Sequence, residues 1–538
     1  MRNARAAAAL ALVAFAVWFA YSNTTAASAA TELEIVLREV RFSGRVDLID
    51  PEERAELEAA VIGRRMSPSD LIALGDRVTL LLHGKGLLLA RGYLPPQDVT
   101  DGVVEIVIAQ GTVGEIAFAR SASARVKEEV LQQVLDREID RAALTRDQVE
   151  TALLRMSDLP GVSARAWLEP GKEPGTSRLT VQVDQSATAS SELSILLRGG
   201  AFPTLRRSFD VALIDLSGQG DETRIEGVFS EGARRLSAAW SAPIGTNPSL
   251  FGTISYEHSA YEAFEEFPGV DFQGEGSAWS VAVETALLRS VAANVRARAG
   301  LTWRGMVEEL AGSVLSDKRI AVREVSLSGD RYRGAGSIQW SLTLAGGNVD
   351  LSGHPGYEAH DAAGLQTAGD FYRLRGSAAG VRQLGPRSTF AASVSGQWAS
   401  KNLDSSQQFI LGGPEGVRAY PNGEARGDDG AILSFEWRSI LASPPEKGRT
   451  QVKAFADLGW IRLHKEPGPV AFTNACQCNE YGLAGAGVGL PWTIDNSTVE
   501  VILAQAVGQN PGRDELTGTN ADGSRDRRSL WVSGTVRF

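Results

Sequence analysis

Hydrophobic residues in the first third of the chain follow two different periods. In one stretch they recur every three or four positions, at Leu71, Leu74, Val78 and Leu81. That spacing places them on one face of a helix, with Ser67 or Ser69 available as its N-cap. Further along, Val104, Ile106 and Ile108 occupy alternate positions, as in a half-buried strand.

These patterns predict a β-α-α-β-β module over residues 33–113. Its predicted strands are residues 35–42, 87–94 and 103–108, and its predicted helices are residues 51–62 and 71–82. The same order returns over residues 114–186, with predicted strands at 115–118, 162–168 and 178–183 and predicted helices at 125–139 and 145–159. A repeat of this length indicates two copies of one small α/β module.

Beyond a linker at residues 185–190, the helical period gives way to strict alternation. In the last segment, Leu530, Val532, Gly534, Val536 and Phe538 fall on one face and Trp531, Ser533, Thr535 and Arg537 on the other. Such alternation is typical of a soluble β-sandwich, whose apolar face packs on a second sheet. It is equally typical of an outer-membrane barrel, whose apolar face meets lipid.

Three features favour the barrel over a secreted soluble β protein. Connections alternate between short ones, as at 218–221, and long ones, as at 348–370 and 402–430, like the turns and extracellular loops of barrels. The segments number about sixteen, an even number. The chain ends on the aromatic Phe538, and together with Trp531 this end resembles the assembly signal of outer-membrane barrels. The sequence therefore predicts a sixteen-stranded antiparallel transmembrane β-barrel over residues 191–538.

The N terminus carries a targeting pattern. An apolar run at residues 6–21 follows Arg2 and Arg5 and precedes Ala27-Ser28-Ala29. A positive start, an apolar stretch and a small-x-small site characterise a secretory signal peptide. We therefore expect residues 1–29 to be a signal peptide cleaved after Ala29, the alternative being an uncleaved membrane anchor.

Composition and charge narrow the classes of function. The 538 residues include 54 Lys and Arg against 65 Asp and Glu, so nucleic acid is not an expected partner. Enzyme motifs such as Gly-x-Ser-x-Gly and His-Glu-x-x-His are absent from the sequence, and we expect no enzyme, no metal site and no cofactor. His354 and His360 share one long loop and are expected to be solvated. Cys476 and Cys478 are compatible with a local disulfide.

Three local patterns resemble one known family. The first is Gly92-Tyr93 with Pro96, Gln97 and Asp98 in the first module. The second is Val417-Arg418-Ala419-Tyr420, followed by Asp428, Gly430 and Glu436. The third is Phe455, Asp457 and Gly459, a Phe-x-Asp-x-Gly pattern. In this order they resemble the TpsB transporters of two-partner secretion, the haemolysin-activator or ShlB/FhaC type within the BamA-like superfamily.

The resemblance implies two periplasmic POTRA modules, at 33–113 and 114–186, and a sixteen-stranded barrel in the outer membrane of a Gram-negative cell. It implies that the modules recognise an unfolded TpsA-like exoprotein, of filamentous haemagglutinin or haemolysin type, which the barrel exports. Other expected partners are outer-membrane lipid and the barrel assembly machinery. Two alternatives stay open, an assembly factor for outer-membrane proteins and a passive porin.

Strand parity and the resemblance together predict a contact inside the barrel. Parity turns Phe455, Asp457 and Gly459 toward the lumen, and the same rule turns Glu436 inward. In the family, the long loop folds back into the barrel so that its tip arginine meets the aspartate. Carried over, this pairs Arg418 with Asp457.

Two points about this contact are open from the sequence. Arg418 and Asp457 could simply be two of many lumen charges. In addition, Ala419 stands where the family usually has glycine, and alanine tolerates a left-handed backbone poorly.

Overall fold

The computed structural model describes residues 34–199, 204–245, 247–262, 272–441 and 448–538. The signal-peptide prediction for residues 1–29 lies outside these residues. The chain divides into two compact units, one ending at Ser186 and the other beginning at Ala187. In the described part of the chain, none of the helices is long and apolar enough to cross a membrane.

The first module contains the predicted element order with one added pair of short strands. Its elements are β1 (Ile35–Val36), β2 (Glu39–Gly44), α1 (Pro51–Ala59), β3 (Arg65–Met66), α2 (Pro68–Gly84), β4 (Ala90–Tyr93) and β5 (Val103–Gln110). Ser67 caps α2 by accepting a hydrogen bond from the backbone N–H of Asp70. The buried face of α2, which includes Val78, packs with the sheet of order β2-β5-β4 in one core. The predicted strand at 35–42 is divided, because β1 pairs with β3 instead.

The second module repeats this arrangement. Its elements are β6 (Thr112–Arg120), α3 (Glu128–Glu138), α4 (Arg146–Ser157), β7 (Val162–Pro170) and β8 (Thr176–Gln185), with sheet order β6-β8-β7. Strand β8 pairs in parallel with β6 and antiparallel with β7, as β5 does with β2 and β4. Backbone hydrogen bonds join the modules, from Leu88 to Leu144 and from Arg146 to Gly86.

The second unit is a closed barrel of sixteen antiparallel strands, which confirms the predicted fold. The strands are β9 (Ala189–Gly199), β10 (Thr204–Ile214), β11 (Glu222–Ser230), β12 (Ala233–Ile244), β13 (Asn247–Glu262), β14 (Phe272–Arg289), β15 (Ala293–Leu310), β16 (Ser313–Arg333), β17 (Gly336–Asp350), β18 (Gly369–Gln383), β19 (Ser388–Ala399), β22 (Asp429–Ile440), β23 (Arg449–Arg462), β24 (Glu480–Ile494), β25 (Ser497–Val507) and β26 (Arg528–Arg537). The ring closes where β26 pairs with β9. Alternation separates the faces: Leu530 is 40% exposed on the outside, whereas Trp531 is 3% exposed on the inside.

The two long loops contain structure that the alternation did not predict. The loop predicted at 348–370 holds α5 (Pro355–Ala363), whose N-cap is His354, so His354 is not simply solvated. The loop predicted at 402–430 holds the short pair β20 (Phe409–Ile410) and β21 (Arg426–Gly427). Its last predicted residue, Gly430, belongs to β22, because it pairs with Gln397 and Ile461.

Candidate functional site

The long loop between β19 and β22 folds into the barrel, and Arg418 lies at its tip. The guanidinium donates hydrogen bonds to both carboxylate oxygens of Asp457 on β23, from Nε to Oδ2 at 2.9 Å and from Nη2 to Oδ1 at 2.8 Å. The backbone N–H of Arg418 donates to the same carboxylate at 3.0 Å. Nη1 donates to Glu436 of β22 at 2.6 Å, and Glu436 also binds Arg438. The predicted pair therefore comes together, with Glu436 as a third member.

This cluster is almost fully shielded from water. Arg418 is 8% exposed and Asp457 is 0% exposed. The guanidinium carbon lies 3.5 Å from the ring centroid of Phe455, within the range of a cation–π contact. Burial on its own lowers the pKa of Arg418, but the hydrogen bonds that the guanidinium donates to Asp457 and Glu436 outweigh it and raise that pKa above its ordinary value. Arg418 therefore stays charged.

The third sequence pattern forms a receptor for the loop tip. Alternate residues of β23 face inward, so Phe455 stacks on Arg418, Asp457 binds it and Gly459 leaves room beside it. A Cβ at Gly459 would collide with Leu411 and would lie 2.8 Å from Cγ2 of Val417. Val417 and Tyr420 are buried in the same cluster, at 0% and 2% exposure. Because alternate residues of a strand share a face, Phe455, Asp457 and Gly459 lie side by side on the lumen wall, where all three adjoin the loop tip.

The last barrel strand also holds the loop tip. Trp531 Nε1 donates to the carbonyl oxygen of Arg418 at 2.8 Å, and Ser529 Oγ donates to that of Ala419 at 3.0 Å. The sequence assigned Trp531 to an assembly signal, and its parity alone placed it inward. Ser529 was missed, since nothing in the sequence links it to a residue so far away in the chain. Phe538, the other residue of that signal, is 70% exposed beyond the end of β26.

Ala419 fits because of a glycine on the facing wall. Ala419 is absent from the non-glycine residues that have positive φ in the described chain, so the left-handed conformation considered from the sequence is not used. Its Cβ points at Gly485 of β24, where an added Cβ would lie 2.6 Å away. Such a separation is far below van der Waals contact. Ala419 and Gly485 therefore form a complementary pair.

The base of the loop is anchored separately from its tip. Asp428 is 0% exposed and accepts hydrogen bonds from the backbone N–H groups of Leu403 at 3.0 Å and Lys465 at 2.8 Å. Burial raises the pKa of Asp428. Lys318 of β16, which the sequence did not single out, lies 3.4 Å from Asp404 at the start of the loop. Gly430 packs against Phe409, again with no space for a Cβ.

The first sequence pattern stabilises the first module. A Cβ at Gly92 would lie 2.5 Å from Cγ1 of Val78, so this glycine allows β4 to approach α2. Gln97 exchanges two hydrogen bonds with the backbone of Glu105, at 2.8 and 2.7 Å. Asp98 accepts hydrogen bonds from Thr100, while Tyr93 and Pro96 lie exposed. The contacts of Gly92, Gln97 and Asp98 lie within the module.

Comparisons with known proteins agree with this architecture. The family model described as haemolysin secretion/activation protein ShlB/FhaC/HecB matches residues 219–491, and the ShlB-type POTRA domain matches residues 35–111. The chain is 24% identical to the heme/hemopexin transporter protein HuxB of Haemophilus influenzae, over 94% of this chain and 88% of that one. It is 22% identical to the outer membrane transporter CdiB of Dickeya dadantii, over 80% and 77%. The solved structure of CdiB from Escherichia coli superposes with a TM-score of 0.69 at 20% identity, over 96% and 93%.

Proposed function

The chain belongs to the haemolysin secretion/activation protein family ShlB/FhaC/HecB and is an outer-membrane transporter of two-partner secretion, and we propose that its cargo is one dedicated TpsA-like exoprotein of filamentous haemagglutinin or haemolysin type. The modules that precede the barrel lie in the periplasm. In this proposal they bind the unfolded exoprotein, and the barrel passes it to the cell surface.

The buried contact of Arg418 with Asp457 and Glu436 is the observation that carries the proposal. A solvated ion pair contributes only about 0–1 kcal/mol, but removing one member of a desolvated pair costs about 3–5 kcal/mol. The contact is therefore strong enough to seat the loop against β22, β23 and β24 during transport. The seated loop leaves the opposite wall, with Glu284 of β14 and Arg298 of β15 facing the lumen, to guide the passing chain.

Capture in the periplasm is proposed to use β-augmentation, in which the extended exoprotein adds its main chain to an open sheet edge. Strand β7 is a suitable edge. It pairs with β8 on one side, and among the described residues no strand pairs with its other side. Trp167 on β7 is 41% exposed and offers an apolar contact beside that edge.

Insertion of the barrel is proposed to depend on the barrel assembly machinery, with the exposed Phe538 as part of the signal that it reads. The finished barrel would then contact outer-membrane lipid through its apolar outer face. Since the periplasm supplies no nucleotide, folding of the exoprotein outside the cell would provide the free energy for export.

Comparing all extracellular proteins from the native host with and without this gene tests the proposal. The expected result is loss of one or a few large exoproteins with unchanged outer-membrane composition. A broad fall in outer-membrane barrels would identify an assembly factor instead. Unchanged extracellular proteins under expressing conditions would favour a passive pore.

A further inference from the structure

Arg323 lies on the lipid-facing side of the barrel wall. On β16, Arg323 is exposed and pairs across the sheet with Leu301 of β15 and Gly346 of β17. Val325, two residues further along the same strand, is 58% exposed, and Leu301 is 39% exposed. Because residues two apart on a strand share a face, Arg323 points outward with them.

Arg323 lies in the extracellular half of this face. The modules are periplasmic, so β9 runs outward, and each following strand reverses direction; β16 therefore runs from the cell surface toward the periplasm. Arg323 is the middle residue of β16, but it lies nearer the upper of two aromatic levels, because Trp340 pairs with Gly329, three outward positions toward the periplasm. Trp303 pairs with Ala321, one outward position closer to the surface, where interfacial aromatic residues are expected. Arg331 is on the same face at the periplasmic end.

An apolar groove adjoins Arg323. Its volume is about 510 Å³, and its walls are formed by the apolar side chains Val281, Val283, Leu301, Val325 and Leu344 together with the ring of Tyr372. Gly346 and Ala299 leave the space open. A Cβ at Gly346 would lie 3.2 Å from the ring of Tyr372. The volume falls within the range of about 300–1,000 Å³ that is typical of sites for small ligands.

The guanidinium of Arg323 has no ion-pair or hydrogen-bond partner among the residues that the structure describes. An arginine on the lipid face costs up to about 2–4 kcal/mol at the bilayer midplane and less near its surface. An anion supplied by the membrane would remove that cost. Phosphate suits the planar fork of arginine, which donates two parallel hydrogen bonds.

We propose that Arg323 and the adjoining groove bind one phosphorylated, multiply acylated lipid of the outer leaflet, of the lipid A type. An acyl chain occupies the groove, and a phosphate group accepts hydrogen bonds from Arg323. The position of the arginine in the outer half of the wall selects an outer-leaflet lipid. Apolar walls and a single cation match an anionic lipid better than a soluble anion.

The test uses the full-length protein in dodecyl maltoside micelles, titrated with bis-phosphorylated hexa-acyl lipid A and followed by native mass spectrometry. The variants are Arg323→Leu and, as a matched control on the same face of the same strand, Arg331→Leu. We expect one lipid A bound to the unaltered protein and to Arg331→Leu with equal Kd, and at least tenfold weaker binding to Arg323→Leu. Dephosphorylated lipid A should bind the unaltered protein as weakly as lipid A binds Arg323→Leu.

Three outcomes would overturn the proposal: equal lipid A binding by Arg323→Leu, equal affinity for phosphatidylglycerol, or displacement of lipid A by equimolar inorganic phosphate. The last would indicate an anion site to which the groove adds nothing. Heat-modifiable mobility in gels verifies that each barrel is folded. If Arg323→Leu fails to fold, Arg323→Lys replaces it, with weaker binding expected because lysine lacks the fork.

Discussion

The guanidinium of Arg418 is shielded from water, and side chains of the barrel wall contact it. Asp457 and Glu436 supply the hydrogen-bond acceptors, and Phe455 covers one face of the guanidinium. A charge in this setting is costly to leave without its partner, because water cannot replace the lost contacts. The seat of the loop therefore depends on all members of the cluster being present.

Replacing either Arg418 or Asp457 with alanine should lower export at least tenfold while leaving barrel insertion largely intact. Arg418→Ala leaves the fully buried Asp457 without its cation, at a cost of about 3–5 kcal/mol, and Asp457→Ala leaves Arg418 with only Glu436, which Arg438 also binds. The double variant should be little worse than either single variant, because both remove the same contact. Secretion assays measure the first effect, and heat-modifiable mobility measures the second. Normal export by both single variants would remove the pair from the mechanism.

Gly485→Ala should impair export, and Ala419→Gly in the same chain should restore it. The added Cβ would lie 2.6 Å from the Cβ of Ala419, whereas its other neighbours lie at 3.5 Å, an ordinary contact. The clash therefore depends on one methyl group. Protease sensitivity of the long loop gives a second measurement of its seating. Failure of Ala419→Gly to rescue Gly485→Ala would contradict this account.

At the scale of elements, the extracellular loops hold one another. Glu424 of the long loop accepts hydrogen bonds from Asn510 and from the backbone N–H of Ala521, both in the loop between β25 and β26. Burial raises the pKa of Glu424 to about 7; Asp522 adds to the increase and Arg513 opposes it. The contact between these two loops is therefore linked to pH.

Docking of these two loops should be tightest at low pH. The pKa of Glu424 in the docked state is about 7, above its ordinary 4.5, so the proton is bound more tightly there. The stabilisation is complete below about pH 4.5 and is lost as the pH rises to about 7. Hydrogen exchange of residues 508–527 across this range measures it. Glu424→Gln should abolish the pH dependence, and an unchanged pH profile in that variant would assign the titration to another group.

The open edge of β7 should contact the exoprotein during transport. A photo-crosslinking amino acid at Arg165 on β7 should trap the unfolded exoprotein, because an added strand would lie about 5 Å from β7. The same probe at Ala117, on the opposite edge strand β6, is the matched control. Crosslinks that are equal at both positions, or stronger at Ala117, would exclude β7 as the preferred edge.

Period-two alternation predicted the strands, their number and the inward direction of Asp457 because each strand pairs with its neighbours in the chain. It did not predict α5, whose nine residues are too few for a clear helical period. Nor did it predict that Trp531 binds the carbonyl of Arg418 or that Glu424 meets Asn510. These contacts join residues far apart in the chain and arise only once the ring has closed, so local patterns carry no signal for them.

At the scale of the whole barrel, the in-folded loop lies against one side of the lumen. Its tip contacts β22, β23, β24 and β26, through Glu436, Asp457, Gly485 and Trp531. The opposite side carries polar side chains such as Glu284 and Arg298, on β14 and β15. A loop held on one side narrows the lumen and shapes a passage, so seating the loop and opening a wide pore are competing states.

Releasing the loop should therefore widen the pore while export falls. In planar lipid bilayers, the full-length unaltered protein should show low conductance, and Asp457→Ala should show larger and more frequent openings because the tip has lost its main acceptor. Glu284→Ala is the control, since Glu284 of β14 lies on the opposite wall and pairs with Arg298 rather than with the loop. It should leave the opening frequency unchanged. A passive porin would give a wide and steady conductance that neither variant alters, and that result would contradict the role proposed for the loop.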